Sequence, residues 1–214
     1  MTPPSRIKAI LLNLLVVIIW SSSWILIKIG LREIPPLTFA GLRYFMAFLV
    51  IVPFLLQRQV KQQVKDFSRN DWKLVILMGV VSYFIAQGAQ FLSLDYLPAT
   101  TLSLILNLTS IFVTLSAVFL IKEFPTRLQI LGLFINLTGI FLFFYPGGFA
   151  KSSAWGCVFG ILCLVANVFG TLIGRKLNFQ GRLNPIALTI VSMGIGSTIL
   201  LATGLLMEGI PQLS

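Results

Sequence analysis

The chain of 214 residues contains no histidine, only six acidic residues and two cysteines. Without histidine the usual side chain that titrates near neutral pH is missing, and a Cys/His zinc site is excluded. Cys157 and Cys163 lie six residues apart on one predicted helix, so they cannot form a disulfide with each other. Charged residues make up 10% of the chain, against about 25% in soluble domains. From this composition we expect neither a bound metal ion nor a cofactor.

Long apolar runs take the place of the missing polar residues, and hydrophobic residues make up 57% of the chain. A helix needs roughly 20 apolar residues to cross the ~30 Å hydrocarbon core of a bilayer. The sequence therefore predicts an all-α, polytopic membrane protein. Its seven predicted spans are Ala9–Ile27, Leu37–Leu56, Leu74–Leu94, Ala99–Ile121, Leu128–Tyr145, Ala154–Gly174 and Asn184–Met207.

Basic residues alternate from one side of these spans to the other. The odd-numbered links hold only Lys28, Arg32 and Lys151, and Arg43 lies inside a span; the other 12 basic residues fall at the N-terminus and in the even-numbered links. The positive-inside rule then places the N-terminus in the cytoplasm and, after seven crossings, the C-terminus outside. The net charge of +10 is explained by this topology, so we expect anionic lipid headgroups and no nucleic acid as partners.

The longest link, 57–73, carries Val60, Val64 and Phe67 at helical spacing among basic residues. One interpretation is a short helix that lies on the inner membrane surface. The alternative is a solvated basic loop.

Two stretches of the chain resemble each other, 20–56 and 167–207. In each, a span ends in basic residues, a polar hinge carries a proline, and a second span begins. On the predicted topology the two units are inverted, an arrangement that recurs in secondary transporters.

The chain also resembles a known family, the EamA-like permeases of the drug/metabolite transporter superfamily. The stretches that carry the resemblance are Ile-Trp-Ser-Ser-Ser-Trp at 19–24 with Lys28, Pro-Leu-Thr-Phe-Ala-Gly-Leu-Arg-Tyr-Phe at 36–45, Gln-Phe-Leu-Ser-Leu-Asp-Tyr-Leu-Pro-Ala-Thr-Thr-Leu-Ser at 90–103, Glu123, Gly132 and Gly139, and Ala-Trp-Gly at 154–156.

The resemblance implies ten spans in an inverted five-plus-five repeat, with a central pocket and alternating access. Residues 1–146 would form the first repeat, and 147–214 would supply the first two helices of the second, because the family continues into three further spans. We expect a secondary transporter, an exporter of small metabolites or drugs in a bacterial inner membrane. The alternatives are a truncated, transport-inactive subunit that associates with other chains, including a homo-oligomer, and a seven-helix receptor-like protein.

Two other classes are disfavoured by the residues themselves. The seventh span, Asn184–Met207, contains no lysine, which a retinal Schiff base would need. No span carries a nucleophile–base pair, a metal constellation or paired carboxylates, so an intramembrane enzyme is not expected.

Arg43 is the most informative single residue. It follows Leu37 by six positions, about 9 Å into the membrane at 1.5 Å per residue, and an arginine at the membrane centre costs about 2.5–3.5 kcal/mol. One interpretation is that its long side chain snorkels to the outer headgroups. The other is a fixed positive charge on the transport pathway, which would attract a carboxylate or another anionic group of a substrate.

Polar and small residues form two faces at helical spacing within the spans. The fourth-span face consists of Thr100, Ser103, Asn107, Ser110, Thr114 and Ala117, and the sixth-span face of Gly156, Gly160, Cys163, Asn167, Gly170 and Gly174. Small residues allow close helix packing, which is one explanation of both faces. Because an amide needs several hydrogen-bond partners, the two asparagines are alternatively candidates for lining a pocket.

Five further residues have two interpretations each. Trp20 lies deep in its span and either packs in the core or lines the pathway. Trp24 is either an anchor in the aromatic belt at the interface or a further pathway residue. Gln87 and Gln90 either line the pocket or make an interhelical hydrogen bond. Glu123, at the cytoplasmic end of the fourth span, is either half of an ion pair or a functional charge.

Overall fold

The computed structural model describes residues 6–121, 124–145, 153–178 and 183–209, and the regular structure of this part is entirely helical. The helices are α1 (Arg6–Gly30), α2 (Pro36–Ile51), α3 (Arg58–Lys65), α4 (Arg69–Gly79), α5 (Ala86–Tyr96), α6 (Ala99–Asn107), α7 (Thr109–Ile121), α8 (Arg127–Phe144), α9 (Ala154–Asn178) and α10 (Pro185–Glu208). A 3₁₀ turn, Val52–Leu56, extends α2, and a π-helical segment, Val80–Ile85, joins α4 to α5. The predicted all-α fold is confirmed.

Six helical segments of the described chain are long and apolar enough to cross a membrane: Ile10–Gly30, Pro36–Leu56, Arg69–Tyr96, Ala99–Ser116, Ala154–Asn178 and Pro185–Glu208. The predicted fifth span corresponds to α8, which has 18 residues and at 1.5 Å per residue reaches about 27 Å. Every predicted span therefore coincides with helical structure. The number of membrane crossings and the inverted repeat stay predictions.

The helix ends gather at two opposite faces of the bundle. At one face, Lys28 at the end of α1 donates to the Leu97 carbonyl oxygen beyond α5 at 3.1 Å, and Glu208 at the end of α10 accepts from the start of α2. At the other face, Val60 of α3, Leu177 of α9 and Leu183 before α10 share one buried cluster. This grouping places the first and third links together and the second and sixth links opposite, as the predicted topology requires.

The helical interpretation of the link 57–73 is confirmed, and the solvated loop is wrong. Val60 is 1% exposed and Phe67 is 7% exposed, because both pack against the ends of the membrane-spanning helices. Ser68 then starts α4 as an N-cap: its hydroxyl accepts from the Asp71 backbone, and the Asp71 carboxylate accepts from the Ser68 backbone N–H. This reciprocal pair satisfies two N–H groups that a helix start leaves open.

Glycines set the distance between the central helices. A Cβ atom at Gly41 of α2 would lie 2.5 Å from Leu201 Cα of α10, and one at Gly204 of α10 would lie 2.6 Å from the Thr38 backbone nitrogen. About two turns earlier in α10, a Cβ at Gly196 would collide with the Gly79 carbonyl oxygen. Such contacts leave room only for glycine, so α10 packs backbone to backbone against α2 and α4.

Candidate functional site

The third span is interrupted near its middle by the π-helical segment Val80–Ile85. A π-helical turn adds one residue to a turn of the helix, is rare, and is frequently found at functional sites. Here the turn lies between α9 and α10: a side chain at Gly170 would collide with Ser82, and a Cβ at Gly196 would lie 2.5 Å from Tyr83 Cβ. The widened turn therefore faces both helices that follow residue 153.

A polar pair joins this turn to α2. The Tyr44 hydroxyl donates to Gln87 Oε1 at 2.7 Å, and Gln87 Nε2 donates to the Ser82 carbonyl oxygen at 3.5 Å. The Tyr44 and Tyr83 rings meet edge to face with centroids 5.9 Å apart. One hydrogen bond and one ring contact thus fix the position of Tyr44 between α2 and the π-helical turn.

Arg43 lies beside this pair. Its guanidinium carbon sits 5.5 Å from the centre of the Tyr44 ring, and Nη2 donates to Ser23 Oγ of α1 at a long 3.4 Å. Among the residues that the structure describes, no carboxylate forms an ion pair with Arg43. Because a guanidinium carries five N–H donors, most of its hydrogen-bonding capacity stays available.

Helix α9 borders the same region. Gly170 of α9 lies against the π-helical turn, because a side chain there would collide with Ser82. One turn earlier in α9, Asn167 Nδ2 donates to the Cys163 carbonyl oxygen at 2.9 Å and to Sγ at 3.3 Å. The polar group of Arg43, Tyr44, Gln87 and Asn167 therefore draws on α2, α5 and α9. We call it the Arg43 cluster.

The other candidates on the first three spans lie around or away from this cluster. Gln90, one turn below Gln87, is 4% exposed, and no described residue hydrogen-bonds its side-chain amide. Trp24 packs against the buried cluster around Phe91, whereas Trp20 is 56% exposed and meets Trp24 edge to face at 6.4 Å. Both interpretations of Trp20, core packing and pathway lining, stay predictions.

Asn107 and Ser110 belong to a separate polar group. Asn136 of α8 donates to the Asn107 carbonyl oxygen at 3.3 Å and to Ser110 Oγ at 3.5 Å. Ser110, Asn136, Gln129 and Arg175 line a cleft of about 310 Å³ between α7, α8 and the end of α9. The structure thus divides the predicted pathway residues between two places. Glu123, next to this cleft in sequence, lies outside the described residues.

The glycines of α9 make the contacts that close packing requires, to different degrees. A Cβ at Gly156 would lie 2.6 Å from Leu97 Cγ, and one at Gly160 would lie 3.2 Å from Ser93 Oγ. The Ser93 hydroxyl donates to the Gly156 carbonyl oxygen at 2.8 Å and joins α5 to α9. Gly174 is looser, since its nearest neighbour would be Met78 Cε at 3.7 Å.

Sequence reasoning did not single out Tyr44, Ser82 or Tyr83. Two tyrosines within apolar spans are weak signals on their own, because aromatic residues are common in membrane helices. The π-helical turn has no sequence signature, although the spacing of Tyr83 and Gln87, four residues apart, places both on one face of a helix.

An all-α bundle with six apolar candidate spans and an arginine within one of them defines a polytopic membrane protein. The chain belongs to the EamA-like transporter family, whose model matches residues 7–145. The relatives described next are also named as transporters and not as enzymes.

Three relatives show the range of similarity. The uncharacterized transporter YvbV of Bacillus subtilis is 27% identical over 94% of this chain and 64% of the relative. The uncharacterized inner membrane transporter YedA of Escherichia coli is 25% identical over 83% of the chain and 56% of the relative. An S-adenosylmethionine/S-adenosylhomocysteine transporter of Chlamydia trachomatis is 26% identical over 79% of the chain and 53% of the relative. The chain therefore spans less than two thirds of each of these relatives. No solved structure matches it.

Proposed function

We propose that this protein is a secondary transporter that exports small metabolites across a bacterial inner membrane, with its N-terminus in the cytoplasm and with the Arg43 cluster on the substrate pathway. The observation that carries the proposal is a guanidinium within a span that has no carboxylate partner in the described chain. Placing arginine at the membrane centre costs about 2.5–3.5 kcal/mol. A role in recognising substrate explains why this cost is borne.

The surroundings of Arg43 suit a small molecule that carries a carboxylate. A guanidinium binds a carboxylate with two parallel hydrogen bonds, and the Tyr44–Gln87 pair next to it offers further polar contacts. One relative is named as a transporter of S-adenosylmethionine and S-adenosylhomocysteine, and both molecules contain a carboxylate. We take this class of zwitterionic metabolite as the first to test.

The proposed organisation is two inverted units, 1–146 and 147–214. In support, the family model ends at residue 145. The Arg43 cluster also combines α2 and α5 of the first unit with α9 of the second, since α9 packs at Gly170 against the π-helical turn. Alternating access in such transporters moves one unit against the other around a fixed site. The π-helical turn, between α9 and α10, lies where such a movement would be transmitted.

The test is transport into liposomes by the purified chain and two single variants. The probes are S-adenosylmethionine and a panel of small carboxylates, each paired with its uncharged amide. We expect Arg43→Gln to reduce apparent affinity for the carboxylates at least about tenfold, the size of one charge-assisted hydrogen bond. Arg43→Lys should retain part of the affinity, since the charge survives while the planar fork is lost.

The matched control is Arg32→Gln, which removes one charge from an exposed position after α1 and should leave transport unchanged. If Arg43→Gln transports normally, Arg43 is a snorkelling anchor and not part of the pathway. If the folded wild-type chain moves none of the probes, the transport-inactive subunit becomes the better explanation.

A further inference from the structure

Helix α3 carries a row of cations on a surface that the transport pathway does not use. Arg58, Lys61 and Lys65 recur at three- and four-residue spacing and so share one side of the helix. All three are exposed, and no carboxylate pairs with any of them in the described part of the chain. Arg69 and Lys73 add two more exposed cations at the start of α4. We call these five residues the α3 basic row.

The apolar side of α3 is already occupied. Val60 is 1% exposed and Val64 is partly buried against the cluster that contains Leu177 and Leu188. An amphipathic helix that inserts into a membrane does so with its apolar face. In α3 that face is docked on the protein instead, so only the charged side remains for an outside partner.

The position of α3 along the bundle puts the row at the level of the headgroups. The helix directly follows the end of the second span, where Leu56 is 82% exposed. In the first turn of α4, which follows α3 in the chain, Trp72 is 37% exposed and meets Phe67 edge to face with ring centroids 5.6 Å apart. Tryptophan at the end of a span is typical of the membrane–water interface.

We propose that the α3 basic row is a binding surface for anionic phospholipid headgroups, held in place by the docked valines and working by charge alone. Unpaired cations at the interface attract anionic lipid, and each contributes to the preference. Because no apolar group needs to insert, the binding is purely electrostatic and should be strongly weakened by salt.

The first experiment measures lipid retained by the purified full-length chain in detergent, by native mass spectrometry. The chain is incubated with phosphatidylglycerol and phosphatidylcholine of identical acyl chains. We expect a clear preference for phosphatidylglycerol, reduced at least about tenfold in Arg58→Gln/Lys61→Gln/Lys65→Gln, since three surface charges are lost. The charge-retaining variant Arg58→Lys/Lys61→Arg/Lys65→Arg should keep the preference. Salt at about 0.5 M, where the screening length is roughly 4 Å, should remove it.

The matched control is Arg32→Gln/Arg127→Gln/Lys176→Gln, which removes three exposed cations from other places. This control should lose no more than about twofold of the preference, a small part of what the row supplies. Equal losses in both triple variants would overturn the proposal, because the preference would then follow net charge and not the row. Displacement of the lipid by millimolar inorganic phosphate would also overturn it, since the site would be one for a free anion.

Circular dichroism checks that each variant keeps its helix content, and the single variant Lys61→Gln replaces any triple variant that loses helix content.

Discussion

Helices α10 and α1 have nearly the same length and similar apolar composition, yet they occupy opposite situations in the bundle. In α10, 39% of the residues in its apolar window are buried, against 6% in α1. Glycines show a similar contrast between α10 and α8: in α10, Cβ atoms at Gly196 and Gly204 would strike the backbone of a neighbouring helix. In α8, as exposed as α1 over most of its length, Cβ atoms at Gly132 and Gly139 would meet nothing within 4 Å.

This contrast teaches that hydrophobicity decides whether a helix is in the membrane but not what it contacts there. Lipid tails are as apolar as leucine side chains, so the hydrophobic effect gives no preference for protein over lipid within the bilayer. Close backbone packing and polar bonds between helices supply that preference. Both are concentrated in α2, α4, α5, α9 and α10, which we call the packed half.

The largest effect that would test the contrast is the difference in stability between two glycine-to-alanine variants, one in α10 and one in α8. Gly196→Ala adds a methyl group against the Gly79 carbonyl and Tyr83 Cβ, and overpacking of this kind costs about 1–3 kcal/mol. Gly139→Ala meets open space and should stabilise the helix by up to about 0.5–1 kcal/mol, since alanine loses less backbone entropy than glycine. Thermal unfolding in detergent should therefore shift in opposite directions for the two variants. Shifts of the same sign and size would remove the distinction between the packed half and α8.

A second effect concerns the carboxylate that joins α10 to α2. Glu208 accepts hydrogen bonds from the Leu37 N–H at 3.0 Å, from the Thr38 N–H at 2.8 Å and from the Thr38 hydroxyl at 2.9 Å. Hydrogen bonds to a charged group contribute about 1.5–3 kcal/mol, so Glu208→Ala should lower the free energy of unfolding by an amount of that order.

The control for this variant is Glu33→Ala, which removes an exposed carboxylate near the same face of the bundle. Its unfolding should match that of the wild type. A Glu208→Ala protein as stable as the control would show that the glycine contacts alone hold α10 against α2.

The smallest expected effect lies within the Arg43 cluster. Tyr44→Phe removes one hydrogen bond to Gln87 and should cost about 0.5–1.5 kcal/mol. A double-mutant cycle with Gln87→Leu should show that most of this loss is shared between the two residues. Tyr96→Phe, at a tyrosine that is 49% exposed, is the matched control and should change stability little. Additive losses for Tyr44 and Gln87 would contradict the bond that joins α2 to α5.

The positions of the helices were predictable because their signal is local. The predicted spans Leu37–Leu56 and Ala154–Gly174 begin within one residue of the observed helices, since an apolar run bounded by proline or charge defines its own ends. Arg43 was recognisable as a candidate for the same reason: an arginine within an apolar run is conspicuous without knowledge of any partner.

The contacts between helices were not predictable, because they depend on partners far away in the chain. Gly139 and Gly196 look alike in sequence, and only the structure shows that one faces open space and the other a backbone carbonyl. Tyr44 gained its importance from Gln87, 43 residues later. Glu208 lies one residue past the predicted end of the last span, and nothing near it in sequence shows that it binds the start of α2.

The bond between Glu208 and α2 also has a consequence for the synthesis of the chain. Helix α2 enters the membrane early, when its first-turn N–H groups have only water and lipid headgroups as acceptors. Their protein acceptor is made 170 residues later. The N–H groups in the first turn of α2 therefore gain this hydrogen-bond acceptor only when α10 has been inserted with the Glu208 carboxylate on the same side of the membrane. An α10 inserted in the wrong orientation would leave that end uncapped, which gives a correctly assembled chain an advantage in stability that a misassembled one lacks.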